Sequence, residues 1–287
     1  MKLNQEHKKQ LIEKGYCVIK NFFNEEEVAF LKDLLKTNHT HKNSNNILKE
    51  IKPLANFPDY WDLISNKKIL SFLRFFLNED VCYLHNSHSV YQEDNLDIDT
   101  NWHRDNACRV YGVGPDWDTN LPYDVVRVGI YLPDHKSNTG LSVIPKTHNS
   151  KKFICKLLRY LRSNQKRIYH SRLFKSIFNF FFGKKIFVNE GDCIFFLANL
   201  FHAALPSRGL RKAIFLSYGR NNKHSLNYLN YYLKHRVDSS NFIPDPKKID
   251  LQKFNQHLIK NNIFIDTPKE KIDIHGLKIK NFKNLVN

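Results

Sequence analysis

The sequence predicts a mainly β fold with flanking helices, an antiparallel sandwich or barrel of the jelly-roll type, and three observations predict it. From about residue 81 the chain breaks into short runs rich in β-branched and aromatic residues: VCYLHNSHSVYQ, NWHRDNACRVYG, DVVRVGIYL, GLSVIP, KKIFVNEGDCIFFL and RKAIFLSYG. Gly, Pro, Asn and Asp punctuate these runs, as tight turns require. Long helical patterns do not alternate with the runs, so the crossovers that a parallel sheet needs are not evident and antiparallel pairing is expected. The chain has 287 residues and shows no internal repeat and no Gly/Ser/Pro linker. One domain over residues 1–287 is the expectation.

The elements follow in order. QLIEKGYCVIKNFFNEEEVAFLKDLLK opens helical, passes through a short apolar strand from Tyr16 to Ile19, and restarts at Asn24. Asn24 with Glu27 three positions on has the form of a capping box, after which Val28, Leu31 and Leu35 share one helical face. Residues 51–79, ending SFLRFFLNED, read as further short helices whose task is to pack on a sheet. The strand runs then take over, with Gly191 and Asp192 marking the turn that launches the last hairpin. Residues 149–185 interrupt them. Within 151–189 there are 11 Lys or Arg and no Asp or Glu. Phe153/Ile154, Leu157/Leu158 and Leu161 recur at helical spacing, as do Leu173/Phe174, Ile177/Phe178 and Phe181, which predicts two basic amphipathic helices inserted between strands. After Gly219 the chain turns polar and Lys/Asn-rich around Tyr228, Tyr231 and Tyr232, and about 221–287 reads as a helical or irregular C-terminal extension.

Composition narrows the function classes. The chain carries 45 Lys+Arg against 28 Asp+Glu, a formal charge of +17, so it attracts anions: acidic small molecules, acidic lipid head groups or nucleic acid. No apolar run approaches the roughly 18 to 20 residues that span a bilayer, and MKLNQEHKKQ lacks the apolar core of a signal peptide, so a cytoplasmic protein is expected. The five cysteines, Cys17, Cys82, Cys108, Cys155 and Cys193, are scattered without CxxC spacing. They read as free thiols in a reducing compartment, and thiolate-bound zinc is disfavoured.

NWHRDN, residues 101–106, carries the chemistry. On a strand, the side-chain period of two would send His103 and Asp105 to one face and Trp102 and Arg104 to the other. An HxD pair alone is seldom a metal site, and a third ligand must come from elsewhere. His202, in EGDCIFFLANLFHAALPS and at the end of what reads as a very apolar strand, is the candidate. Two imidazoles and one carboxylate on one face of a metal, with the opposite positions open, suit a non-haem Fe(II) that must also take a co-substrate and O2. Arg211, nine residues later in GLRKAIFLSYG, would suit the far carboxylate of a dicarboxylate co-substrate, since a guanidinium pairs with it bidentately; Arg208 is its nearest competitor. Arg104, Asn106, Arg109, Tyr111, Trp117, Tyr123 and Arg127 cluster near the ligands in sequence and are candidates for the substrate mouth. Trp102 is most simply a packing residue. His85, His88, His148 and His170 read as hydrogen-bonded or surface histidines, with His148 structural in its turn.

At this point the chain resembles the phytanoyl-CoA dioxygenase family of Fe(II)/2-oxoglutarate oxygenases, over roughly residues 10–220. The matching pieces stand in order: EKGYCVIKNFFNEEEVAFL, WHRD, NTGLSVIPKTH in the place of the family's "NG.L.v.PGSH" turn, and GDCIFFLANLFHAALPSRGLRKAI. The resemblance implies a double-stranded β-helix, cupin-like, in which His103, Asp105 and His202 bind iron and Arg211 holds the distal carboxylate of 2-oxoglutarate. It implies oxidative decarboxylation of 2-oxoglutarate to succinate and CO2, coupled to oxidation of a substrate C–H bond by O2. Family members that transfer halide carry a small residue where Asp105 stands, so the carboxylate favours hydroxylation. The chain departs from the pattern at Lys146 and Thr147, where the family has Gly and Ser, and at Ala204, where a small hydroxyl residue is common. The stretch between His202 and Arg211 is also a residue or two short.

The expected function is therefore hydroxylation of an anionic small-molecule, acyl or lipid-linked substrate. The basic insertion is read either as solvated lid helices or as an interfacial surface that would place the protein at the inner face of a membrane. Two readings from other classes stay open. One is a non-catalytic jelly-roll protein that binds membrane or polyanion through the insertion. The other is a nucleic-acid-directed oxygenase, disfavoured because no nucleic-acid-binding module is recognised.

Overall fold

The computed structural model describes residues 5–38, 49–77, 81–84, 86–92, 102–105, 125–133, 139–148, 157, 180–205, 211–221, 225, 245 and 247–263. Its frame is two antiparallel sheets. The seven-stranded sheet runs in the order β1 (Tyr16–Ile19), β8 (Cys193–Leu197), β5 (Val126–Tyr131), β10 (Arg211–Gly219), β4 (His88–Gln92) and β2 (Lys49–Pro53), with β3 (Cys82–Tyr83) paired to the far end of β10. The three-stranded sheet is β7 (Lys184–Phe187), β6 (Gly140–Val143) and β9 (His202–Ala204). From β5 onward the chain visits the large sheet, the small sheet twice, then large, small and large again. That winding is the double-stranded β-helix the sequence predicts.

Alternation along each strand divides the core. In β5, Val126, Val128 and Ile130 face the helices, while Tyr131 faces the second sheet; β8 splits likewise into Cys193, Phe195 and Leu197 against Ile194 and Phe196. Both faces of β5 and β8 are thus buried, which is why these strands read as continuous apolar runs. The helical layer consists of α1 (Gln5–Lys14), α2 (Glu25–Asn38), α3 (Trp61–Ile64), α4 (Lys67–Leu77) and α5 (Leu251–Lys260). The capping box opening α2 is present in both directions: the Asn24 amide donates to Glu27 Oε2 at 2.8 Å and the Glu27 amide to Asn24 Oδ1 at 2.8 Å. Val28, Leu31 and Leu35 are buried as their spacing requires.

Four expectations are corrected. Residues 49–53, of which 51–53 lie in the stretch expected to be helical, form edge strand β2 against β4, with Pro53 at its end. The HxD stretch is no strand: His103 makes a single bridge to His202, and Asp105 lies in a turn. His202 does not end the apolar strand, because β8 stops at Leu197 and a turn carries the chain to the other sheet before β9 starts. The insertion expected to be helical through 185 yields to β7 at Lys184, which pairs with Val143; among the described residues of the insertion only 157 and 180–182 are helical. In the C-terminal extension, α5 is held by Asp250, which accepts from the Gln252 and Lys253 amides; it buries Phe254 against Trp61 and Tyr83, and Leu258 in the same core. No helix among the described residues is long and apolar enough to cross a membrane.

Candidate metal centre

The first ligand pair is positioned by backbone alone. The His103 amide donates to the His202 carbonyl at 2.9 Å and the His202 amide donates back at 3.0 Å, so the bridge sets the two imidazoles side by side, ring centroids 4.3 Å apart. Two residues on, the Asp105 amide donates to the Ala198 carbonyl at 3.0 Å, which bends the chain and turns the carboxylate back toward both rings. Asp105 Oδ1 lies 3.5 Å from His103 Nε2 and 3.6 Å from His202 Nε2. A two-residue spacing on a turn thus achieves the convergence that a strand would have given by alternation.

The donor set fits a metal. His202 Nδ1 lies 2.9 Å from the Leu200 carbonyl, an acceptor only, so Nδ1 carries the proton and Nε2 presents its lone pair toward Asp105. Two imidazole nitrogens and one carboxylate oxygen, all within 4.8 Å of one another, are the ligand types and number of a non-haem Fe(II) site. Exposure is graded across the set. The His103 side chain is 36% exposed against 5% for His202, so the centre opens to solvent on the His103 side.

Behind the carboxylate stands Arg127, on the inward face of β5 and 3% exposed. Its Nε lies 2.9 Å from Asp105 Oδ2, and its Nη1 donates to the Asn86 carbonyl and to Ser217 Oγ. Burial on its own would raise the Asp105 pKa, but the charge of the neighbouring Arg127 guanidinium opposes it, and the carboxyl is held well below its ordinary range.

The turn that resembles the family's "PGSH" supports the far ligand. Thr147 Oγ1 donates to the Ile144 carbonyl and accepts from the Phe201 amide at 3.0 Å, fixing the residue before His202. His148 Nε2 lies 2.9 Å from the Ile12 carbonyl, packed so closely on Gly15 that a Cβ there would stand 2.5 Å from its ring. Lys146, at the family's Gly, has φ +67°, the left-handed conformation that Gly adopts without cost. Gly140, in NTGLSV, lies so near the Ile186 carbonyl that a Cβ would be 2.0 Å from its oxygen.

The sequence candidates therefore divide. His103, Asp105 and His202 converge. Arg127 joins them from behind, not from the mouth. Arg104 is 2% exposed, donates to the Thr147 carbonyl and lies over the Phe201 ring at 4.4 Å. Arg211 opens β10, paired through its backbone with Gln92 of β4; its side chain lies outside what the structure describes. Arg208, Asn106, Arg109, Tyr111, Trp117 and Tyr123 lie outside the described residues, as do His85 and His170. Asn86 and Ser217 were not singled out in the sequence, and no short motif marks them.

The phytanoyl-CoA dioxygenase family model matches residues 11–213. The chain belongs to the phytanoyl-CoA dioxygenase family. Membership places it among oxygenases. No curated protein sequence matches it significantly. Solved structures with the same fold include HygX from Streptomyces hygroscopicus with nickel and 2-oxoglutarate bound, 20% identical over 77% of this chain and 88% of that one, TM-score 0.60. EctD from S. alaskensis with bound Fe is 18% identical over 76% of this chain and 77% of that one, TM-score 0.53. The 2-oxoglutarate-dependent carbocyclase SnoK from nogalamycin biosynthesis is 16% identical over 76% and 84%, TM-score 0.51. HygX has also been solved with hygromycin B, 18% identical over 76% and 88%, TM-score 0.58.

Proposed function

We propose that the chain is a single-domain Fe(II)- and 2-oxoglutarate-dependent dioxygenase that hydroxylates a C–H bond of an anionic small-molecule, acyl or lipid-linked substrate. The observation that carries this reading is the convergence of His103, His202 and a single oxygen of Asp105, with the His202 tautomer fixed by the Leu200 carbonyl. Iron, when bound, supplies activation of O2 coupled to decarboxylation of 2-oxoglutarate to succinate. The residues do the rest. The bridge between His103 and His202 orients both imidazoles. Phe196, Phe215 and Tyr131 exclude water from the inter-sheet side. Arg211 is proposed to hold the far carboxylate of 2-oxoglutarate, with Arg208 as the alternative. Bound 2-oxoglutarate in HygX and iron in EctD support the cofactor assignment. Hydroxylation is preferred because Asp105 fills the position that halide-transferring family members leave open. An anionic substrate is preferred because of the +17 charge.

Anaerobic titration of Fe(II) and 2-oxoglutarate is expected to give a weak visible charge-transfer band, and O2 is then expected to release succinate. His103→Ala removes both. Absence of the band together with succinate release that does not depend on His103 overturns the reading.

A peripheral contact with anionic membrane is supported by one surface. Phe180, Phe181, Phe182 and Phe187 are 83, 69, 48 and 50% exposed, beside exposed Lys184 and Lys185. Co-sedimentation with vesicles containing phosphatidylserine at low salt is expected, and reduced by joint replacement of Phe180 and Phe181 with Ser. Failure to sediment at low salt removes this contact.

A further inference from the structure

A charged side chain between two sheets must have a partner, and Arg127 makes this requirement specific. It lies on the inward face of β5, where its neighbours in the same strand are Gly129 and Tyr131, and its guanidinium stands over the Phe215 ring at 5.5 Å. The acidic partner found for it among the described residues is Asp105. The guanidinium is also held from the opposite side. Tyr83 pairs with Tyr218 and His88 with Phe215, so the chain between β3 and β4 has two more residues than the facing stretch of β10, as in a bulge. The bulge turns the Asn86 carbonyl inward to accept from Arg127. Ser217 Oγ accepts from the same nitrogen and donates to the same carbonyl at 3.1 Å. Ser87 closes the bulge, its Oγ donating to the Leu84 carbonyl at 3.0 Å and accepting from the Ser217 amide at 2.9 Å.

The guanidinium is therefore anchored away from Asp105 as well, and the ion pair it makes with the carboxylate is directed at Oδ2. Oδ2 faces Arg127 Nε at 2.9 Å, while Oδ1 faces the two imidazole nitrogens. We infer that Arg127 is a positioning residue for the metal-binding carboxylate, holding Oδ2 so that Asp105 reaches a metal through Oδ1 alone and leaves open a coordination position that a chelating carboxylate would fill. This rests on the assignment of His103, Asp105 and His202 as metal ligands. The open position is what co-substrate binding at a two-His, one-carboxylate site requires. A planar fork with several donors suits the task, because it can hold the carboxylate and the bulge together; a lysine ammonium has no such fixed geometry. The backbone pins the other end of the residue, through the Asp105 amide and the Ala198 carbonyl.

The test uses Co(II) alone as a probe of the full chain, under anaerobic conditions without 2-oxoglutarate. Wild-type protein is expected to bind Co(II) and to show visible d–d bands whose intensity reports coordination number. His103→Ala abolishes them. Arg127→Met is expected to weaken Co(II) binding by about 10-fold or more, the lower end of the range for partners of metal ligands, and to reduce band intensity as the carboxylate becomes chelating. Arg127→Lys is expected to fall between Met and wild type. Ser217→Ala, which removes one anchor of the guanidinium, shifts the spectrum in the same direction by less. A purely architectural ion pair would lower the melting temperature of the apo-protein in these variants but leave the Co(II) spectrum and affinity of the folded fraction unchanged, and that result overturns the inference. Should Arg127→Met fail to fold, wild-type spectra in both Arg127→Lys and Ser217→Ala overturn it equally. If His103→Ala binds Co(II) like wild type, the ligand assignment itself fails, an outcome distinct from the first.

Discussion

Lys146 holds a backbone conformation that costs an ordinary side chain about 1–2 kcal/mol, in a turn whose next two residues brace the His202 strand and α1. Glycine removes that cost but orders a freer unfolded chain at about 0.5–1 kcal/mol. Lys146→Gly is therefore expected to stabilise by about 0.5–1 kcal/mol, a rise of about 1–2 degrees in a thermal melt for a chain of this size. The amide donated by residue 146 to the Lys14 carbonyl is kept. An unchanged or lower melting temperature would show that the turn carries no strain. At the same scale, Cys17, Cys82 and Cys193 are buried, and burial pushes the Cys17 and Cys193 thiols up. Since the thiolate is the reactive form, all three are expected to stay unlabelled by iodoacetamide in the native protein and to label fully in denaturant, read by peptide mass spectrometry.

Among the elements, α5 is the one whose importance the sequence understates. Leu258 is fully buried against the helical layer, while its neighbour Ile259 is 66% exposed. Leu258→Ala is expected to cost about 2–5 kcal/mol through the cavity it leaves. Ile259→Ala changes little, and thermal melts of the pair separate packing from the change in helix propensity, which alanine raises in both. Equal effects would place α5 off the core. The α2 capping box makes a milder claim. Asn24→Ala removes the acceptor for the Glu27 amide and is expected to cost about 1 kcal/mol. Neither element touches the metal centre, so both variants should keep the Co(II) spectrum of wild type.

For the whole molecule, the proposed metal centre joins pieces far apart in the chain: the His103 turn, β5, the bulge before β4, and the start of β9. A metal bound only by the native state must stabilise all of them together. At a Co(II) concentration about 100 times its dissociation constant the expected gain is about 2.7 kcal/mol, seen as a higher melting temperature that a chelator reverses. His103→Ala should show no such shift. The charge of +17 acts at this scale too. If the nucleic-acid reading were correct, oligonucleotide affinity would fall steeply with salt; little binding at low salt is expected here.

By itself the sequence determined the sheet-forming half of the chain and the capped helix α2, and it singled out the three candidate ligands that the fold brings together, because these depend on short-range patterns: alternation, turn residues, capping spacing, and HxD with a later His. Several local readings failed where the deciding contact lay elsewhere. The β2 strand exists because β4 offers it an edge. The HxD stretch is a bridge and a turn because His202 and Ala198 supply the partners for its amides. Arg127 looked like a residue of the substrate mouth, since proximity in sequence says nothing of which face of a strand meets which loop. Only the tertiary structure decided that it stands behind Asp105, held by a bulge whose residues carry no motif. A hydrogen-bond network of this kind is assembled from segments some 40 to 130 residues apart, and no local periodicity encodes such a meeting.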